Sequence, residues 1–360
     1  MPSSENRVII ACAGGGKTTR LVQEAIADPD RRIAFVTYTN NNLMAIANRF
    51  GELYGGVPKH VDIMTWFGFL LRECARPYQH AVYPNNRIES IFFVKGQSPF
   101  QYPERDAGRH YFANGKWIYT DKIAKFIVRC DESTGGCVVR RLRQVYTDLF
   151  VDECQDLAGP DWDFVKRLLR SDLRVTLVGD PRQSILSTNL SRKNRRYRKS
   201  GVTELLEEWE DAGMCQIETM GMTRRCNAAI CEFANGLWPD MEDMAPIEDT
   251  RTGHDGVFLV AASRVADYIE RFRPQVLRHQ RRKNAPAYEQ AGMNFGVAKG
   301  GEFDRVLIVP TKPIRMFLKT GDLGHLTERH RLHVAVTRAR HSVAFVFEGS
   351  SAVVPAGHGW

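Results

Sequence analysis

The chain has 360 residues, with 50 lysines and arginines against 42 aspartates and glutamates, a formal net charge of +8 and 43% apolar residues. That length exceeds the ~100–200 residues of one domain, so two core domains with small insertions and a sizeable core are expected. The basic balance suits a polyanionic partner without identifying one, and no apolar run approaches the ~18 residues of a membrane span, which excludes a membrane helix as the expectation.

The first predicted strand is RVII, from Arg7, and it runs into ACAGGGKTT at 11–19 and a helix-like LVQEAIAD. Further β-branched runs follow at RIAFVTYT and VDIMTW. From Cys74 to about Arg143 the periodicity breaks into stretches such as RPYQHAVYPNN and SPFQYPERDAGRHYF, read as a small insertion subdomain. The alternation resumes with DLFVDE, a helix in DFVKRLLR, and RVTLVGD. A basic run, SRKNRRYRKSG at 191–201, precedes GVFLVAA, the helix VADYIERF, RVLIVP and SVAFVFE. Strands alternating with helices indicate parallel α/β sheets. The stretch 274–290, PQVLRHQRRKNAPAYEQ, reads as little more than a loop.

Eight cysteines stand at 12, 74, 130, 137, 154, 215, 226 and 231 with no Cys-x-x-Cys pair, so neither structural zinc nor an iron–sulfur cluster is expected. Buried, reduced thiols and a cytoplasmic location are the expectation. The opening MPSSENRVII lacks the basic start and long apolar stretch of a signal peptide.

Two segments carry phosphate chemistry on their own residues. In the loop formed by Ala11, Cys12, Ala13, Gly14, Gly15, Gly16, Lys17, Thr18 and Thr19, the glycines let backbone N–H groups turn toward phosphate oxygens. Lys17 reaches the outer phosphates, and the Thr18 hydroxyl can ligate Mg2+ at a helix start. In LFVDECQD, at 149–156, an apolar strand presents Asp152 as the magnesium carboxylate and Glu153 as the base that orients and deprotonates water. ATP and Mg2+ are the expected ligands.

Seven segments then stand in one order: ACAGGGKTT, TYTNNN (37–42), MTWFGFLL (64–71), LFVDECQD, LVGDPRQSI (177–185), TRRCNAAI (223–230), and VAKGGEFDRV (297–306) leading into HVAVTRAR (333–340). This succession resembles the UvrD/Rep group of superfamily 1 helicases. The resemblance implies an α/β protein of two RecA-like parallel-sheet lobes, a P-loop NTPase. The first lobe would take 1–74 and 144–214, with the accessory insertion at 75–143. The second would take 215–360, with a minimal insertion near 274–290. It also implies that Gln183 senses the outer phosphate, that Arg225 and Arg338 deliver positive charge to the transferring phosphoryl group, and that Glu302 contacts the sugar. Arg224 stands where relatives carry a base-stacking tyrosine. Asn294 and Gly296 replace the usual Thr and His, and no upstream glutamine motif for adenine is recognisable.

For a nucleic-acid track the resemblance assigns Tyr38 with Thr39 and Asn40, then Thr65 and Trp66; core packing of Trp66 is an equal reading. The segment after 185 lacks the aromatic of relatives and offers cations instead, among them Arg192, Lys193, Arg195 and Arg196; the other reading of that run is a solvated face. The function implied is an ATP-dependent translocase or helicase on single-stranded DNA, with strand–duplex junctions as a further substrate and 3′ to 5′ polarity. The alternative is a nucleic-acid-gated ATPase subunit acting beside a separate nuclease in DNA repair or antiphage defence. A non-enzymatic binding module is a third reading, and the full set of reactive residues speaks against it.

Overall fold

A computed structural model of the protein describes residues 5–249 and 251–347, so the first four residues of the N-terminal stretch lie outside the described ones. The chain divides by contact into two units. One comprises residues 1–10 and 17–219, the other 11–16 and 220–360.

In the first unit a six-stranded sheet runs in the order Val61–Thr65, Ile33–Thr37, Asp148–Asp152, Arg174–Gly179, Arg7–Ala11, Gln216–Met220. The first five pair in parallel. Ile33–Thr37 and Asp148–Asp152 are buried at every position, which is why their sequences are unbroken apolar runs rather than alternating ones. The helices Lys17–Ala27, Asn40–Tyr54 and Pro160–Leu169 supply the crossovers and bury one stripe each.

The insertion leaves this sheet through Trp66–Phe69 and a π-helical turn, Leu70–Ala75, in which the Arg76 N–H reaches back five residues to the Leu71 carbonyl. It then builds a small sheet, Ser90–Phe92 parallel to Trp117–Tyr119 and Phe112–Ala113 antiparallel to the latter. The helices Ile123–Ser133 and Cys137–Val145 return the chain to the main sheet. Tyr111, Phe112 and Phe126 of the insertion share one apolar core with Phe69, Leu149 and Leu177.

The second unit holds a parallel sheet in the order Gly256–Ala261, Ala339–Phe347, Phe303–Ile308, Gln275–Arg278, Met293–Asn294. Ala228–Gly236 and Arg329–Val336 cover one face, while Val265–Phe272 packs on the other. Several strands lie where the sequence gives no strand signal, Gln275–Arg278 and Gln216–Met220 among them. Gln275–Arg278 falls inside the stretch expected to be a loop; Val276 and Leu277 are its only apolar residues, and both are buried. Gln216–Met220 is half-exposed along most of its length.

Seven of the eight cysteines are buried, and Cys137 is half-buried. Burial pushes the Cys226 thiol up to about 12. Among the described residues no helix is long and apolar enough to cross a membrane.

Candidate nucleotide and nucleic-acid sites

Lys17 opens the helix that follows the glycine loop, and Asp152 ends its strand at the carboxyl edge, where open α/β sheets place ligands. In the first unit the Lys17 Nζ lies 3.8 Å from Glu153 Oε1. Thr18 Oγ1 lies 3.5 Å from Asp152 Oδ2. Glu153 itself has φ +60°, a left-handed backbone that a non-glycine residue adopts at a cost of about 1–3 kcal/mol. Its N–H donates to Asp152 Oδ1 at 3.0 Å, so the kink is held by its own neighbour.

A chain of hydrogen bonds continues from there. Gln155 Nε2 donates to the Glu153 carboxylate, and Gln155 Oε1 accepts the Asp180 N–H at 3.1 Å. Gln183 Nε2 donates to Asp180 Oδ2 at 2.8 Å, and Arg182 Nε to Asp180 Oδ1 at 2.8 Å. Gly179 is required for this approach, since a Cβ there would stand 2.3 Å from Gln155 Oε1. The line Glu153, Gln155, Asp180, Gln183 is therefore joined by hydrogen bonds through the buried side chains of Gln155 and Asp180. Sequence reading placed Glu153 and Gln183 but not the Gln155–Asp180 link, whose signal is the QD and GD beside each motif.

The donors near Asp152 are hard oxygens, one hydroxyl and one carboxylate. Such a set fits magnesium, which keeps several waters and takes few protein ligands. Among the described residues no group of three or more His, Cys, Asp or Glu could cage a metal instead.

In the second unit, residues 11–16 pack on 220–225. Gly14 and Gly16 have φ +72° and +80°. The Ala13 carbonyl accepts Thr223 Oγ1 at 2.7 Å, and the Gly14 carbonyl accepts the Arg224 N–H at 3.1 Å. A Cβ on Gly14 would lie 2.6 Å from both Arg225 Cβ and Thr223 Oγ1. Arg224 is exposed, and its Nη1 is the nearest group to a Cβ built on Gly16.

The two arginines singled out from the sequence are both engaged within this unit. Arg225 Nε donates to Glu302 Oε2 at 3.0 Å and its Nη1 to the Thr337 carbonyl at 3.2 Å. Arg340 Nε takes the other Glu302 oxygen at 2.6 Å. Burial pushes the Glu302 carboxyl up, but the Arg340 hydrogen bond and the Arg225 charge outweigh it and hold the group below its ordinary range. Arg338 is buried, with Nε on the Val334 carbonyl at 3.1 Å and Nη1 on the Gly301 carbonyl at 3.3 Å.

Along the expected track, Tyr38 is half-buried, its ring 6.0 Å from that of Phe67. Thr39 caps the helix Asn40–Tyr54 by accepting the Asn42 N–H, and Thr65 caps the next by accepting the Gly68 N–H. Asn40 is exposed. Trp66 corrects the expectation of a nucleic-acid contact: it is buried, and its indole Nε1 donates to Asp161 Oδ1 at 3.1 Å. A buried indole needs such an acceptor, and the acceptor lies 95 positions along the chain. In the basic run Lys193 pairs with Asp163 at 2.8 Å, and Arg196 with Glu208 at 3.0 Å. Arg192 and Arg195 are exposed.

Residues 121–193, which include Asp152, Glu153 and Gln183, match the sequence model of the UvrD/REP helicase N-terminal domain. The Gabija protein GajB of Bacillus cereus (strain VD045) is 30% identical over 192 residues, covering 50% of this chain and 37% of that protein. The chain thus spans little more than a third of the curated relative it matches. Among solved structures, Arterivirus nonstructural protein 10 (helicase) is 17% identical with a TM-score of 0.48, over 96% of this chain and 60% of that one. The same viral protein in complex with DNA is 16% identical with a TM-score of 0.48, over 97% and 62%. The PRRSV helicase is 18% identical with a TM-score of 0.45, over 95% and 52%. Residues 121–193 of this chain are thus similar to the UvrD/REP helicase N-terminal domain.

Proposed function

We propose that the chain hydrolyses ATP and couples hydrolysis to movement along single-stranded DNA, with the 3′ to 5′ polarity that its resemblance implies. The observation that carries this reading is the buried line Glu153, Gln155, Asp180, Gln183, which starts 3.8 Å from Lys17. Such a line ties the group that orients water to the group that reads the outer phosphate. Glu153 accepts the proton of the attacking water, and the strained backbone aims its carboxylate. Lys17 neutralises the outer phosphates as a point charge. Thr18 and Asp152 would hold magnesium, which would offset the negative charge of the phosphates. Arg225 and Arg338 supply further positive charge once they leave their present partners.

Those partners favour a second reading. Arginines tied to Glu302, Thr337, Val334 and Gly301 suit an ATPase at rest; in this reading the chain is a nucleic-acid-gated ATPase subunit acting beside a separate nuclease. Steady-state ATP hydrolysis with magnesium, measured alone and with single-stranded DNA, single-stranded RNA and blunt duplex, separates the two. Strong stimulation by single-stranded DNA supports the motor, and translocation on a labelled strand then tests polarity. No stimulation by any of the three leaves the partner-dependent ATPase.

A further inference from the structure

The small sheet of the insertion has two faces of different character. Its register pairs Ser90 with Trp117, Ile91 with Ile118 and Phe92 with Tyr119, while Phe112 pairs with Ile118. Ile118 and Phe112 therefore share one face and are buried in the core. The opposite face carries Phe92, Trp117 and Tyr119. An antiparallel or mixed sheet with one solvated face normally turns polar residues outward. Here the outward residues are aromatic, with Phe92 39% and Trp117 41% exposed.

Their geometry is ordered. The Phe92 and Trp117 rings lie near parallel, centroids 6.4 Å apart at 20°, and Tyr119 meets Phe92 edge-on at 5.7 Å. Phe93, the next residue along the chain, is 71% exposed. It stands edge-on to Phe67 at 5.8 Å, and Phe67 lies beside Tyr38. The chain after Gln183 closes against the same region. The Tyr38 hydroxyl faces the Ser187 carbonyl at 3.4 Å, Asn189 Nδ2 donates to the Asp121 carbonyl, and Gln97 Nε2 donates to the Leu190 carbonyl. Exposed Lys95 and Arg192 each stand two residues along the chain from this region, beyond Phe93 and Leu190.

We propose that Phe92 and Trp117, with Phe93 beside them, form a base-stacking platform for a single-stranded nucleic acid, extending the Tyr38 surface onto the insertion. This rests on the nucleic-acid reading above and names the groups that would hold the bases. It supplies the rings that the segment after Gln183 lacks. Every base offers a π-face, so such a platform holds a strand without reading it, and the cations beside it meet the phosphates. Exposed aromatic rings with the exposed cations Lys95 and Arg192 along the same segments suit a polyanionic strand with stacking bases.

The test uses the full chain and two labelled probes of equal length, oligodeoxythymidylate and an abasic oligomer with the same phosphates. Trp117→Ala and Phe93→Ala should each weaken oligodeoxythymidylate binding roughly 5- to 100-fold. Neither should change abasic binding or the salt slope, because no phosphate contact is lost. Trp117→Phe should restore most of the affinity, and the fluorescence quenching on oligodeoxythymidylate binding to the parent chain should be lost in that variant. If Trp117→Ala lowers Tm, Phe93→Ala carries the test, since its ring is mostly in solvent. Unchanged affinity in all three variants, with a parent chain that binds the strand, overturns the platform and leaves the nucleic-acid reading standing. A parent chain that binds neither probe overturns both.

Discussion

The reactive groups of the first unit and those of the second stand in opposite states. Lys17, Glu153, Gln155 and Gln183 already form one connected set at the carboxyl end of a sheet, with a strained backbone at Glu153 fixing the direction of its carboxylate. Arg225 and Arg338 are consumed by local partners, a shared carboxylate in one case and two carbonyls in the other. Preorganised groups need no rearrangement at the moment of reaction, whereas tied cations act only after their hydrogen bonds are exchanged. Under the proposed function, chemistry lies in one unit and its control in the other.

The sharpest way to break this contrast is Arg225→Ala. With the arginine required in the transition state, kcat should fall on the order of 10³-fold while nucleotide affinity stays within a few-fold. Unchanged kcat would mean that the Glu302 pair is structural only. Glu153→Gln comes next, with turnover reduced on the order of 10²-fold and nucleotide binding retained, because a base is removed and the glycine loop is not. Loss of binding in that variant would reassign Glu153. A smaller effect is expected of Glu302→Gln. Easing its tie on Arg225 should raise unstimulated kcat severalfold and leave KM within about twofold, as steady-state kinetics would show.

The smallest effect concerns stability alone. Burial raises the Asp161 carboxyl to about 6, against hydrogen bonds from Thr188 and Trp66 that pull it down. The folded chain then holds this proton more tightly than the unfolded chain, so its contribution to stability is full below about pH 4 and declines as pH rises to about 6. The difference is on the order of 3 kcal/mol. Urea midpoints of Asp161→Asn, followed between about pH 4 and 7, should lack that decline. An identical decline in the variant would locate the proton elsewhere.

Much of this was readable before any coordinates. Eight strands stood out because strands buried on both faces are unbroken apolar runs. The glycine loop stood out because positive φ at Gly14 and Gly16 demands that residue. Gln275–Arg278 escaped because two apolar residues beside basic ones carry no period, and only pairing with Phe303–Ile308 makes them a strand. Trp66 stayed ambiguous because an aromatic in a motif reads alike for core and for contact until Asp161 is seen beside it. The ties on Arg225 and Arg338 escaped because ion pairs and carbonyl bonds of long separation have no local signature. The outward rings at Phe92 and Trp117 escaped because strands of two or three residues are too short for alternation to show.

The π-helical turn at Leu70–Ala75 has an evolutionary meaning. In an α-helix each residue turns the chain by ~100°, so a wide turn stores one residue of screw phase at the doorway to the insertion. Deleting a single codon there would tighten the turn to α-helix and swing everything downstream by about that angle until the chain rejoins the sheet at Asp148. Because Tyr111, Phe112 and Phe126 share one core with Leu149 and Leu177, such a change of phase would be resisted by the packing of the insertion on the parent sheet.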